Sequence, residues 1–232
     1  QSGNPSGTPV LFLHGGPGAG TSSIYRRFFD PIKYRIILFD QRGSGKSTPY
    51  GSINNNTSQK LIEDIKSILD FLDIKKTIIY GGSWGSTLAL LFSQKHPSYV
   101  YSMVLRGIFL CRKSDIMWFY QHGAHEVFPD YWSEFISLIP DEERSDILLA
   151  YHKRIHGDDL ELSRELCKRW AIWEGRCSTL HPSNDVINQF DECAISLSKI
   201  ETHFFQNNCF IEENQIIKNI NVLKNIKCEI IH

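Results

Sequence analysis

The sequence predicts an α/β fold, a mostly parallel sheet flanked by helices, with an inserted helical segment before the chain returns to the sheet. Three observations predict it. Short apolar runs rich in β-branched residues alternate with helical patterns up to Leu105, the order that builds a parallel sheet with helical crossovers. Polar or glycine-rich loops follow the ends of three of these runs, where ligands of such sheets bind. From Cys111 to about Ile220 convincing strand patterns disappear and amphipathic, aromatic helical runs replace them.

Taken in order, residues 1–9 are rich in Gly, Pro, Ser and Asn and read as a turn or linker. Val10-Leu11-Phe12-Leu13 is an apolar strand ending in His14-Gly15-Gly16-Pro17-Gly18. Arg35 to Asp40 is the next, followed by Gln41-Arg42-Gly43-Ser44-Gly45-Lys46-Ser47. The last run mimics a phosphate loop, but Asp40 stands where that loop requires its first glycine, so nucleotide hydrolysis is a weak alternative. A structural turn in which Asp40 and Arg42 bond to backbone is preferred. Leu61, Ile62, Ile65, Ile68, Leu69 and Leu72 recur at helical spacing from Ser58 to Leu72. A strand at Thr77–Tyr80, a helix from Thr87 to His96 stopped by Pro97, and a strand at Ser102–Leu105 complete this part. Within the helical segment, Ser114–Ala124, Pro140–Arg154 and Leu160–Trp173 are the expected helices, and Cys228–Ile231 is the returning strand.

The chemistry concentrates at Gly81-Gly82-Ser83-Trp84-Gly85. A serine on a tight turn between a buried strand and a buried helix presents its hydroxyl as a nucleophile, and glycines two positions to either side leave room for the turn. Ser83 is the candidate. The glycine turn at 14–18 is its natural partner, because backbone N–H groups in such a turn can face an oxyanion.

Composition removes several function classes. Lys plus Arg number 25 against 26 Asp plus Glu, for a net charge of −1, and no long basic run exists, so neither nucleic acid nor an anionic membrane is an expected partner. No apolar run is long enough to span a bilayer, and a soluble chain is expected. The six cysteines, Cys111, Cys167, Cys177, Cys193, Cys209 and Cys228, form no C-x-x-C pair, which suits reduced thiols and a cytoplasmic location better than disulfides or a zinc site. No metal and no cofactor are expected.

The runs His14–Gly18, Asp40–Gly45, Gly81–Leu90 and Val104–Phe109, with Trp173-Glu174-Gly175 and Ile200–Phe205 further on, resemble the proline iminopeptidases, prolyl aminopeptidases of the α/β-hydrolase fold. The resemblance implies a hydrolase core over 1–110, a helical cap over 111–220 and a return to the sheet over 221–232. It implies release of N-terminal proline from peptides by a Ser-His-Asp triad through an acyl-enzyme. Ser83 would be the nucleophile, and the backbone N–H groups of Gly16 and Trp84 the oxyanion hole. Glu174 and Glu201 match positions that hold the substrate's imino cation, and Phe109, Tyr120 and Phe205 match the wall around its ring.

The family's triad Asp and His follow a motif whose first residue matches His232, so both are expected beyond the chain end. The chain is expected to be truncated at both ends and, as given, inactive. Two other classes stay open: an esterase or amidase of the same fold, which has no use for the two glutamates, and a non-catalytic binding protein. Oligomeric state is not legible.

Overall fold

The computed structural model describes residues 1–181 and 183–232. Six strands form one sheet: β1 (Ser2–Gly3), β2 (Thr8–Leu13), β3 (Tyr34–Leu38), β4 (Thr77–Ser83), β5 (Val100–Ile108) and β6 (Lys227–Ile231), in the order β1-β3-β2-β4-β5-β6. All neighbours are parallel except β1, which pairs antiparallel with β3 through Ser2 opposite Ile36 and Gly3 opposite Arg35. The opening stretch is therefore part of the sheet rather than a linker. Its Gly and Ser content hides an edge pairing made through the backbone. β2 lies between two strands, and its Val10–Leu13 run is buried throughout, as a strand covered on both faces requires.

The helices α1 (Ser58–Phe71) and α2 (Trp84–Lys95) complete the alternating part. Thr57 caps α1 by accepting from the Lys60 N–H, and its apolar stripe Leu61, Ile65 and Leu69 enters the main core. In α2 every residue from Trp84 to Ser93 is buried, so this helix is covered all round. The loop after β3 is a structural turn: the Asp40 carboxylate accepts from the N–H groups of Thr21 and Lys46. Arg42 differs from expectation in that its guanidinium forks onto Asp64, donating only one further bond, to the Asn55 carbonyl.

Between Ile108 and Lys227 the described residues form helices and turns. They are α3 (Lys113–Tyr120), α4 (Ala124–Val127), α5 (Pro129–Ile136), α6 (Ile147–Ile155), α7 (Leu160–Cys177), α8 (Asn184–Glu192), α9 (Ala194–Gln206) and α10 (Gln215–Lys218). The continuous helix expected over Pro140–Arg154 is broken. A short 3₁₀ turn at Asp141–Glu143 precedes Asp146, whose carboxylate accepts from the Leu149 N–H and starts α6 afresh, the competition with helical backbone typical of Asp. The helix expected from Ser114 stops at Tyr120, whereas the one from Leu160 runs on to Cys177 and so carries Glu174. After α9 the residues Asn208, Cys209 and Phe210 all take left-handed backbone, with φ of 49°, 52° and 55°. Their turn is tied to the start of α1, where the Ser58 hydroxyl donates to the Cys209 carbonyl and the Gln59 amide to that of Phe210.

Candidate active site

Strand order places the serine turn. β2 leads toward β3 on one side of the sheet and β4 toward β5 on the other, so the loops leaving β2 and β4 part company above the sheet and leave a crevice. Leu13 lies opposite Gly81 in the ladder, which carries the glycine turn up beside Ser83. A Cβ built on Gly15 would sit 3.6 Å from the Ser83 Cβ. Ser83 itself takes φ 53° and ψ −125°, a conformation that costs a side-chain-bearing residue about 1–3 kcal/mol. The flanking glycines make the turn sterically possible. A Cβ on Gly81 would meet the Gly85 carbonyl oxygen at 2.2 Å, and one on Gly85 would meet that of Leu13 at 2.1 Å.

Behind the turn lies a neutral polar centre. His14 is buried; its Nε2 accepts from the Gln41 N–H at 3.0 Å, and its Nδ1 lies 2.9 Å from the Gly15 carbonyl and 3.3 Å from the Gly20 N–H. The Gln41 amide donates to the His14 carbonyl, and its oxygen accepts from the Trp84 indole N–H at 2.8 Å. Burial pushes the His14 ring down to about 4. Trp84 thus has its side chain locked beneath the sheet ends while its backbone begins α2.

Ser83 opens into a cavity of about 640 Å³ that also receives Gly16, Phe109, Tyr120, Glu174, Glu201 and Phe205. The structure therefore brings together every proposed site residue except Trp84, whose side chain is sealed off. The two glutamates come from neighbouring helices, Glu174 from α7 and Glu201 from α9. On α7, Trp170 and Glu174 are one turn apart, and on α9 so are Glu201 and Phe205, which places each pair on a single face. The Tyr120 hydroxyl donates to Glu174 Oε1, and the Trp170 indole N–H donates to Glu201 Oε2 at 2.5 Å. The rings of Tyr120 and Trp170 stack at 4.3 Å and 13°, while Phe205 packs 5.5 Å from Tyr120 and 5.9 Å from Phe109. Trp170 was not singled out from the sequence as a site residue. Its only signal there is the four-residue spacing to Glu174.

The electrostatics of the pair are unusual. Neither glutamate joins any of the ion pairs among the described residues. Arg112, which also lines the cavity, is taken up by Asp115. Burial pushes the Glu174 carboxyl up to about 7, against the opposing effect of the Tyr120 hydroxyl. Burial, and after it the charge of Glu174, holds Glu201 well above the usual carboxylate range, with the Trp170 N–H acting the other way. Two acids with no cation paired to either resist double ionisation, and a cation placed between them would be strongly held.

Among the described residues no hydrogen bond joins Ser83 to a histidine; His14, His125, His156 and His203 bond elsewhere. No cluster of described His, Cys, Asp or Glu side chains could hold a metal ion. No described helix is long and apolar enough to cross a membrane.

A family model for the α/β-hydrolase fold matches residues 8–136. Over its full length the chain is 46% identical to a proline iminopeptidase of Arabidopsis thaliana, covering 62% of that protein. It is 44% identical to the proline iminopeptidase of Xylella fastidiosa strain 9a5c, covering 75% of it. The chain belongs to the proline iminopeptidase family. Among solved structures, a carboxylesterase of the archaeon Nitrososphaera gargenis superposes with a TM-score of 0.52 at 14% identity, over 99% of this chain and 83% of its own. Epoxide hydrolases of the α/β-hydrolase superfamily from hot-environment metagenomes give 0.50 at 20% identity, over 87% and 63%. These distant likenesses carry the α/β-hydrolase fold, and the proline iminopeptidase family rests on the relatives.

Proposed function

We propose that this chain carries the nucleophile and substrate-recognition site of a serine aminopeptidase that releases N-terminal proline from peptides. The observation that carries the reading is a pair of carboxylates without a cation in the same cavity as a serine held on a strand-to-helix turn. An N-terminal proline brings what the two acids lack: a positive imino group fixed beside the carbonyl to be attacked. Glu174 and Glu201 hold that cation, and Phe109, Tyr120 and Phe205 enclose the apolar ring. An esterase or amidase acting on neutral substrates has no use for the two acids.

In the reaction Ser83 Oγ bonds to the prolyl carbonyl carbon and its proton passes to a general base. The backbone N–H groups of Gly16 and Trp84 receive the oxyanion. Collapse breaks the C–N bond, the proton goes to the leaving amine, and a prolyl ester remains on Ser83 for water to cleave. Residues 111–220 act as a cap that supplies the recognition half of the cavity, while the core over 1–110 supplies the nucleophile. With a protein carrying these residues, Ser83→Ala brings hydrolysis of a proline arylamide down to the residual level of binding and oxyanion stabilisation alone, a loss of at least about a thousandfold. Turnover close to the parent's would remove Ser83 from the mechanism.

A further inference from the structure

The geometry points to Trp170 as the positioning residue of the cation site, fixing Glu201 through its indole N–H and Glu174 through the ring of Tyr120. This inference rests on the proposed function and extends it to a residue that touches no substrate.

Trp170 is fully buried, and it engages both arms of the carboxylate pair, Glu201 directly and Glu174 through Tyr120. Its N–H reaches Glu201 Oε2 at 2.5 Å, and its ring lies flat on Tyr120, whose hydroxyl is bonded to Glu174. On its other sides Tyr151 and Phe135 hold the ring at 5.3 and 5.9 Å. An indole can donate and cannot accept. Trp170 therefore ties up one oxygen of Glu201, leaves the other for a ligand, and favours the ionised carboxylate over the acid.

The groups around the pair supply no substitute. Glu201 faces Glu174 and Cys209, Cys193 senses both glutamates, and Cys177 and Tyr120 lie toward Glu174. Across the cavity Arg112 is paired with Asp115, and His232 lines the same space. Among the described residues, then, Trp170 is the only side chain that hydrogen-bonds to Glu201.

The test is calorimetric binding of L-prolinamide, a cation, beside tetrahydrofuran-2-carboxamide, its neutral counterpart, as pH is raised from acid to neutral. The parent chain should bind prolinamide more tightly as the pair ionises and discriminate against the neutral ring. Trp170→Phe keeps a ring against Tyr120 and deletes the N–H. It should bind prolinamide about tenfold more weakly at neutral pH, with the ionisation midpoint moved up by about one pH unit. Replacing residue 170 by β-(3-benzothienyl)alanine, which keeps the bicyclic shape without the N–H, should give the same shift if the phenylalanine variant folds poorly. A lowered Tm with an unmoved pH midpoint in both variants would make Trp170 mere packing and overturn the inference. Equal binding of the two ligands by the parent would instead overturn the cation site, and the inference with it.

Discussion

Two buried polar centres flank the loops around Ser83 and differ in what they leave undone. Around His14 the partners close on themselves: Gln41 bonds both to the ring and to the His14 carbonyl, and Trp84 completes Gln41. Around Glu174 and Glu201 each acid has one neutral donor, spare acceptor oxygens and an open cavity. Burial displaces the pKa values in both. A displaced pKa alone therefore does not mark a working site; spare hydrogen-bonding capacity facing empty space separates the proposed recognition centre from the structural one.

The sharpest way to test that contrast is Glu201→Gln. Breaking a buried charge partnership typically costs about 2–5 kcal/mol, so kcat/KM for a proline arylamide should fall tens-fold to thousands-fold, while hydrolysis of a neutral ester should suffer less. Equal losses on both substrates would make the carboxylate structural. The same substitution should stabilise the ligand-free protein above neutral pH. A carboxyl raised in the folded state contributes stability that is present below its unfolded value and lost as pH rises through the folded one, and glutamine removes that loss.

His14 has the opposite sign. Its folded pKa is depressed from 6.5 to about 4, so its contribution is full above the unfolded value and lost as pH falls toward the folded one, a change of about 3 kcal/mol. Urea unfolding at neutral and acid pH should show His14→Gln losing less stability on acidification than the parent. An unchanged acid slope would mean that His14 is not the titrating group. The smallest effect belongs to an exposed pair, Lys66 with Asp70, in which both side chains are well solvated. Lys66→Ala should leave Tm and activity where they were, and a clear loss would show that exposed pairs matter more here than either buried centre predicts.

The serine turn was legible because its requirements are contiguous. Gly81 and Gly85 are forced by steric contact with each other and with Leu13, Ser83 lies between them, and a strand and a helix flank them in sequence as in space. The proposed recognition half is harder to read. Glu174 and Glu201 were found only through a family resemblance, because the contact that matters joins helices across 31 residues from Trp170 to Glu201. Periodicity marks which face of a helix is apolar and says nothing of which helix it will meet. The break at Asp146 and the edge strand at Ser2–Gly3 escaped for a related reason: a side-chain cap and a backbone pairing leave almost no trace in hydrophobic pattern.

The left-handed turn at Asn208–Phe210 has a consequence for all of this. Three successive non-glycine residues in that conformation each cost about 1–2 kcal/mol, and the anchors from Ser58 and Gln59 help to keep them there. Such a turn works as an angular stop for α9. An α-helix advances about 100° per residue, so a slip of a single position would rotate Glu201 out of the cavity and bring a neighbour in. The site's register is thus clamped at the far end of the helix, by backbone that faces α1 rather than the substrate.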